Sequence, residues 1–328
     1  MQRHSSLDEA ADLAGVAALL QIGAEIGVDR LLDSGGTFDA AELARTADLP
    51  QAGVEDYLAA LVAAGLVVGT DVPDRFRAAE DYPDRRYAAG YVSWAMSANG
   101  PFLANAREFL TDRDAAARVH RRNGRRVAVS SRWIGERAFY PPIVDRVASA
   151  GASHVADLGA GAGGLLIELL GRDPGRTGVA LDSSGAACEA AREAAAAAGV
   201  ADRLRVVERT VQSLADDPGP VEGADAVLAC FVMHDIVADE SVAKDVLGAC
   251  RDALAPGGFM AVADAVSYAP DPAERRFSAL FTYLHASFMR VTLPTERQWL
   301  DTFRSAGFSE TACVLLGVPG GRLFVAAR

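Results

Sequence analysis

Apolar residues recur at helical spacing through residues 8–33, at Leu13, Val16, Leu19, Leu20, Ile22, Ile26, Leu31 and Leu32. The pattern then shortens. Residues 40–47 and 54–64 read as two helices parted by Leu49-Pro50, and 65–68 and 76–78 as strands around a polar turn. Helix, turn, helix and hairpin make a winged-helix-like arrangement. Residues 85–150 read as mostly helical, with Trp94, Met96, Phe102, Leu103, Phe109 and Leu110 as apolar bulk. From residue 155 the period changes. Short apolar runs at 155–158, 177–181, 204–207, 224–231 and 259–263 alternate with helical stretches, the pattern of a doubly wound α/β sheet. A helical stretch at 271–290 breaks that rhythm. A helix at 295–306 and a hairpin of 311–317 and 322–327 follow.

The first of these strands runs into Asp157-Leu158-Gly159-Ala160-Gly161-Ala162-Gly163-Gly164, and a helix opens near Leu165. The next strand ends in Asp182. Strand, glycine turn, helix, strand, acid is the layout of a nucleotide-binding βαβ unit. Glycines let the backbone bend sharply and approach a ligand closely. The acid after the second strand suits the two hydroxyls of a ribose. A carboxylate ahead of the first glycine would repel a pyrophosphate but suits a cationic ligand. In these features, and in the long chain that precedes them, the sequence resembles the class I S-adenosylmethionine-dependent methyltransferases of the two-domain, O-methyltransferase-like type. The resemblance implies a Rossmann-like domain behind a helical, winged-helix-like dimerisation domain. It puts Asp157 near the methionyl ammonium and Asp182 on the ribose, with Gly159, Gly161 and Gly163 forming the turn. Thr210 and Val211 would border the adenine, and Phe231, closing the fourth strand, also falls to the cofactor. The expected boundaries are 1–100 for dimerisation, 101–150 for a connector over the substrate pocket, and 151–328 for the methyltransferase domain.

Composition narrows the partners. The chain has 328 residues, half of them hydrophobic, and a net charge of −12. That length suits two domains, and that charge argues against nucleic acid or a membrane surface. Within the winged-helix-like unit the candidate recognition helix, 51–64, carries Glu55 and Asp56 and no Arg or Lys, which disfavours DNA. A homodimer is what the resemblance implies instead. Cys188, Cys230, Cys250 and Cys313 show no C-x-x-C spacing, and no transmembrane-length run or signal pattern occurs. The expectation is a reduced, cytoplasmic protein.

The methyl acceptor is the harder question. In O-methyltransferases of this type a His in the late helical insertion serves as base, about eight residues before a Thr-Glu pair. Here Thr295-Glu296 is present and the corresponding position is Ser287. His285 lies two residues earlier, and His234-Asp235 follows the fourth strand, at the ligand end of the sheet. Two imidazoles and a carboxylate are the ligand set of a facial triad with open positions. Arg118 to Arg126 is a dense basic run in which Arg122, then Arg121, is the candidate clamp for a carboxylate. Together these features resemble bacterial α-keto acid C-methyltransferases, which make β-methyl amino acid precursors for nonribosomal peptides. That resemblance implies His234, Asp235 and His285 as ligands of Fe2+ or Zn2+, with Arg122 holding a 2-oxo acid. Trp94, Phe281, Tyr283, Phe288 and Met289 would then surround its apolar side chain. The alternative is a metal-independent O-methyltransferase of a phenolic or polyketide hydroxyl, with His234 or His285 as base. A non-catalytic cofactor-binding protein is disfavoured by the intact glycine turn and both acids.

Overall fold

The computed structural model describes residues 6–328, with side chains from Glu9 onward, so His4 lies outside the described residues. The chain divides into two compact units, Met1–Arg137 and Ala138–Arg328.

The first unit is helical apart from one small hairpin. After the helix Ser6–Glu25, the helix Ala40–Ala47 starts at a capping box in which Asp39 and Glu42 exchange side-chain to backbone hydrogen bonds. The next helix, Gln51–Ala63, begins three residues earlier than the apolar pattern suggests, because Pro50 at its N-cap sets the start. Its outer face presents Glu55 and Asp56 to solvent, while Val54, Tyr57, Leu58 and Leu61 are buried. Strands β1 (Val67–Gly69) and β2 (Phe76–Ala78) pair antiparallel, and Phe38 bridges to Phe76. Gly23 must be glycine: a Cβ there would fall 2.5 Å from the Tyr57 hydroxyl, which donates to the Leu19 carbonyl at 2.8 Å. The connector is not uniformly α-helical. Ser93–Ala98 is a π-helical turn, a feature that concentrates at functional sites. The last helix, Gly124–Ala138, is tied within the unit by Arg132, which pairs with Asp29 at 2.6 Å and Asp33 at 2.8 Å.

The second unit is a seven-stranded sheet. Its strands are β3 (His154–Leu158), β4 (Thr177–Asp182), β5 (Leu204–Glu208), β6 (Ala226–Cys230), β7 (Phe259–Ala265), β8 (Glu310–Leu315) and β9 (Gly321–Ala327). Their order is β5-β4-β3-β6-β7-β9-β8, with β9 antiparallel to both neighbours and the first five parallel. This is a doubly wound, Rossmann-like sheet. The strand order reverses between β3 and β6, and a crevice opens there at the carboxyl ends. Every residue of β7 is buried, as expected for a strand covered on both faces. Trp299, Phe303 and Phe324 stack beneath it to fill one layer of the core. Among the described residues no helix is long and apolar enough to cross a membrane.

Candidate active site

The glycine turn is built by backbone geometry that side chains resist. Gly159, Gly161 and Gly163 have φ of 68°, 55° and 75°. A Cβ on Gly159 would also sit 2.9–3.1 Å from the Val232 side chain, so the turn packs directly on the segment after β6. Asp182 braces it: Gly161 N–H donates to Oδ2 at 2.9 Å and Ser184 N–H to Oδ1 at 2.8 Å. Under the turn lies Asp157, 4% exposed, with an Oδ1 that no protein group satisfies. Burial, then the neighbouring Asp182 charge, pushes its carboxyl up to about 8. A buried acid with an unused oxygen in a ligand crevice is what an ammonium group requires. These residues fit S-adenosylmethionine. Val211, in contrast, is buried in the sheet core, leaving its backbone rather than its side chain to border a ligand, while Thr210 is exposed.

Beyond β6 the backbone does something the sequence does not announce. Phe231 takes a left-handed φ of 53°, and its N–H donates to the Ala263 carbonyl at 2.8 Å. Strain of this kind in a non-glycine residue costs on the order of 1–3 kcal/mol and clusters at working sites. It turns the ring into an aromatic row, 5.0 Å from Phe139 and 6.2 Å from Phe281 between centroids. The short helix Met233–Val237 then sets His234 against the sheet. The His234 Nδ1–H donates to Asp264 Oδ1 at 2.7 Å, and its backbone N–H to Oδ2 at 2.9 Å. Asp264 is fully buried on β7, and sequence reasoning missed it. The signal was available: an isolated acid inside an apolar strand, Phe-Met-Ala-Val-Ala-Asp-Ala.

His285 arrives from the insertion. It opens a π-helical turn, His285–Met289, after the helix Arg275–Leu284. Its Nδ1–H donates to the Phe281 carbonyl at 2.8 Å, its ring stacks on Phe281 at 4.1 Å, and it meets His234 edge to face at 4.9 Å. In both rings Nδ1 is a donor to an oxygen that only accepts, so in the neutral form of either imidazole Nε2 carries the lone pair. The thiol of Cys230, at the end of β6, is raised well above its ordinary value by burial, then by Asp157 and Asp264. It stays protonated and is no nucleophile.

The expected metal triad is therefore brought together only in part. Among the described residues no group of three or more His, Cys, Asp or Glu side chains is arranged to hold a metal ion. Asp235, with a half-exposed side chain, keeps Oδ1 3.7 Å from His234 Nε2. Two donors each about 2.1 Å from one tetrahedral or octahedral ion stand roughly 3.0–3.4 Å apart. The Asp235 carboxylate is half-exposed, and the three side chains stand as an imidazole pair beside an acid rather than as a closed ligand set. Phe288 is buried edge-on to Tyr283, which is itself exposed, and Met289 is half-buried. In the helical unit Trp94 is buried on its π-turn, where its carbonyl accepts from Asn99 Nδ2 at 2.9 Å. Arg121 is exposed and Arg122 half-buried. Two of their neighbours have structural duties: Arg125 donates to the Ala24 carbonyl at 2.7 Å, and Arg126 to Glu25 at 2.6 Å, at the end of the first helix.

Residues 156–260 match the family described as a methyltransferase domain. Fold and glycine turn agree with that match, and the second unit is an S-adenosylmethionine-dependent methyltransferase domain with the class I fold. This chain is similar in sequence to two named enzymes. Over 156 residues, 48% of this chain and 40% of the relative, it is 37% identical to aclacinomycin 10-hydroxylase RdmB of Streptomyces purpurascens. This chain thus spans less than half of that relative. Over 313 residues, 89% of this chain and 86% of the relative, it is 28% identical to 3-hydroxy-5-methyl-1-naphthoate 3-O-methyltransferase of Streptomyces sahachiroi. The structure of human N-acetylserotonin methyltransferase in complex with S-adenosylmethionine shares the fold, with a TM-score of 0.58, 18% identity and coverage of 100% of this chain and 99% of that one. One relative is named a hydroxylase, so likeness alone does not fix the reaction and the site must.

Proposed function

We propose that this chain transfers a methyl group from S-adenosylmethionine to a hydroxyl oxygen of an aromatic or polyketide-derived small molecule. The observation that carries the reading is the His234–Asp264 pair, at the end of β6 beside the aromatic row of Phe139, Phe231 and Phe281. The bound cofactor supplies an electrophilic methyl on a sulfonium. His234 Nε2 takes the hydroxyl proton as the oxygen attacks, and the buried Asp264 carboxylate stabilises the imidazolium that forms. The aromatic row excludes water and orients a flat acceptor. Proximity and orientation supply much of the rate. Similarity to a naphthoate 3-O-methyltransferase supports an acceptor of this class.

A second reading rests on the contact between His234 and His285, at 4.9 Å, together with Ser287 at the position where the resemblance expects the base. It is β-C-methylation of a 2-oxo acid assisted by a divalent metal. One experiment separates the two. Purified protein is screened with hydroxylated aromatics and with 2-oxo acids for S-adenosylhomocysteine release, and its metal content is measured. Turnover of a phenol by metal-free protein supports the first reading. Turnover of 2-oxo acids alone, with an equimolar metal lost in His285→Ala, overturns it for the second. A homodimer is proposed with either reading and is tested by sedimentation.

A further inference from the structure

The segment that carries Phe281 and His285 leaves the sheet after β7 and rejoins it at the helix Glu296–Ser305. One side chain holds both ends. Arg322, on β9 and 4% exposed, donates from Nη1 and Nη2 to the two carboxylate oxygens of Glu274 at 3.0 and 3.1 Å, and from Nε to Glu296 Oε2 at 3.3 Å. Glu274 precedes the helix Arg275–Leu284, and Glu296 opens the helix that follows the insertion. The same Glu274 accepts the Gly320 N–H at 3.1 Å. Gly320 has a φ of 77°, and a Cβ there would lie 3.1 Å from Ser278, so the turn before β9 presses directly on the insertion helix.

Register gives this clamp its meaning. Arg322 is the direct antiparallel partner of Asp264, so both side chains leave the same face of adjacent strands. Asp264 sets His234, and Arg322 gathers the segment that bears His285. We propose that Arg322 is a positioning residue that fixes Phe281 and His285 against His234. This rests on the reading of that cluster as the acceptor site. Stability does not require such a clamp, because apolar residues of similar volume commonly replace a buried ion cluster at no net cost. What a two-pronged guanidinium adds is direction, since its planar fork fixes Glu274 in orientation as well as distance.

The test uses Arg322→Met and Arg322→Lys in the full chain. Cofactor affinity is measured by calorimetry, kcat and KM with a turned-over acceptor, and the ring protons of the five histidines by NMR, assigned through His234→Gln and His285→Gln. The expected result is cofactor affinity within twofold of the parent and a kcat lower by about 10- to 100-fold, the loss that follows a misplacement near 1 Å. The His285 resonance should leave its Phe281-shifted position, and lysine, which keeps the charge but not the fork, should restore little. If Arg322→Met does not fold, Glu296→Gln, which leaves the Glu274 fork intact, is expected to move the same resonance. An unmoved His285 resonance overturns the clamp whatever the rates do. So does loss of cofactor affinity in step with kcat, which would mark Arg322 as a general structural residue. Absence of turnover with any hydroxyl acceptor in the parent protein instead defeats the O-methylation reading, and the clamp is then judged on the histidine spectrum alone.

Discussion

Replacing Asp264 by Asn probes the proposed base without touching His234. The carboxylate accepts three hydrogen bonds: from His234 Nδ1 at 2.7 Å, from His234 N at 2.9 Å and from Ala265 N at 2.7 Å. An amide keeps one acceptor atom and puts an NH2 donor in place of the other, so it cannot satisfy all three. If its oxygen stays toward Nδ1, the amide nitrogen faces the His234 N–H and leaves that buried donor unmet. If it flips, the nitrogen donates to Nδ1, drives the ring proton to Nε2 and disables the base. Either arrangement leaves a buried N–H unsatisfied, worth about 1–3 kcal/mol. For a domain of this size that is roughly 2–4 °C of melting temperature per kcal/mol. The rate should fall further than stability: general base catalysis contributes about 10²–10⁴-fold, and the wrong tautomer in a serine protease triad costs about 10⁴. The assay is methyl transfer to a turned-over phenol at saturating cofactor, with cofactor affinity measured in parallel. The loss should be no greater in the Asp264→Asn, His234→Ala double variant than in His234→Ala, because the pair acts as a unit. It should shrink as pH approaches about 10, where a phenol ionises without help. A variant that keeps kcat within about threefold of the parent at neutral pH, with cofactor affinity intact, would refute the assignment of His234 as base.

Other consequences follow from the cofactor crevice. Asp157 is pushed up to about 8 by burial and by Asp182, so the folded cofactor-free protein holds a proton there that the unfolded chain, with a carboxyl near 3.9, releases. The resulting stability is complete below about pH 4 and is lost as pH rises through about 8, while Asp157→Asn removes that slope in thermal melts. Cofactor binding needs the ionised carboxylate, so calorimetry should show affinity rising up to about tenfold per unit until about pH 8, and a flat, weaker profile for Asp157→Asn. Gly159→Ala meets both a φ of 68° and the Val232 side chain at 2.9–3.1 Å, so it should lower the melting temperature and weaken cofactor binding together. A melt and an affinity both unchanged would mean that the turn can shift to admit a methyl group. His285→Ala removes the ring stacked on Phe281 at 4.1 Å, and a hydroxyl acceptor should then bind more weakly while the cofactor binds as before, read as separate dissociation constants.

What the sequence made legible was everything that depends on neighbours along the chain. The βαβ unit, the glycine turn and both acids were readable because a strand period, a helix period and a change of backbone sign lie within thirty residues. The pairing that organises the site was not, because His234, in the helix after β6, meets Asp264 on the neighbouring strand β7, and no local period links them. The insertion misleads for a different reason. His285 and Ser287 lie in a π-turn, His285–Met289, so their relative directions do not follow the 3.6 residues per turn of an α-helix. The ambiguity between base and metal ligand is physical rather than a failure of reading. An imidazole whose Nδ1–H is locked by a buried carboxylate is prepared to receive either a proton or an ion at Nε2. The deciding feature is the third donor. Asp235 has the right chemistry and sequence position, but its half-exposed carboxylate stands 3.7 Å from Nε2. With the dry ring of His285 on one side and that solvated acid on the other, a proton is the better-supported partner.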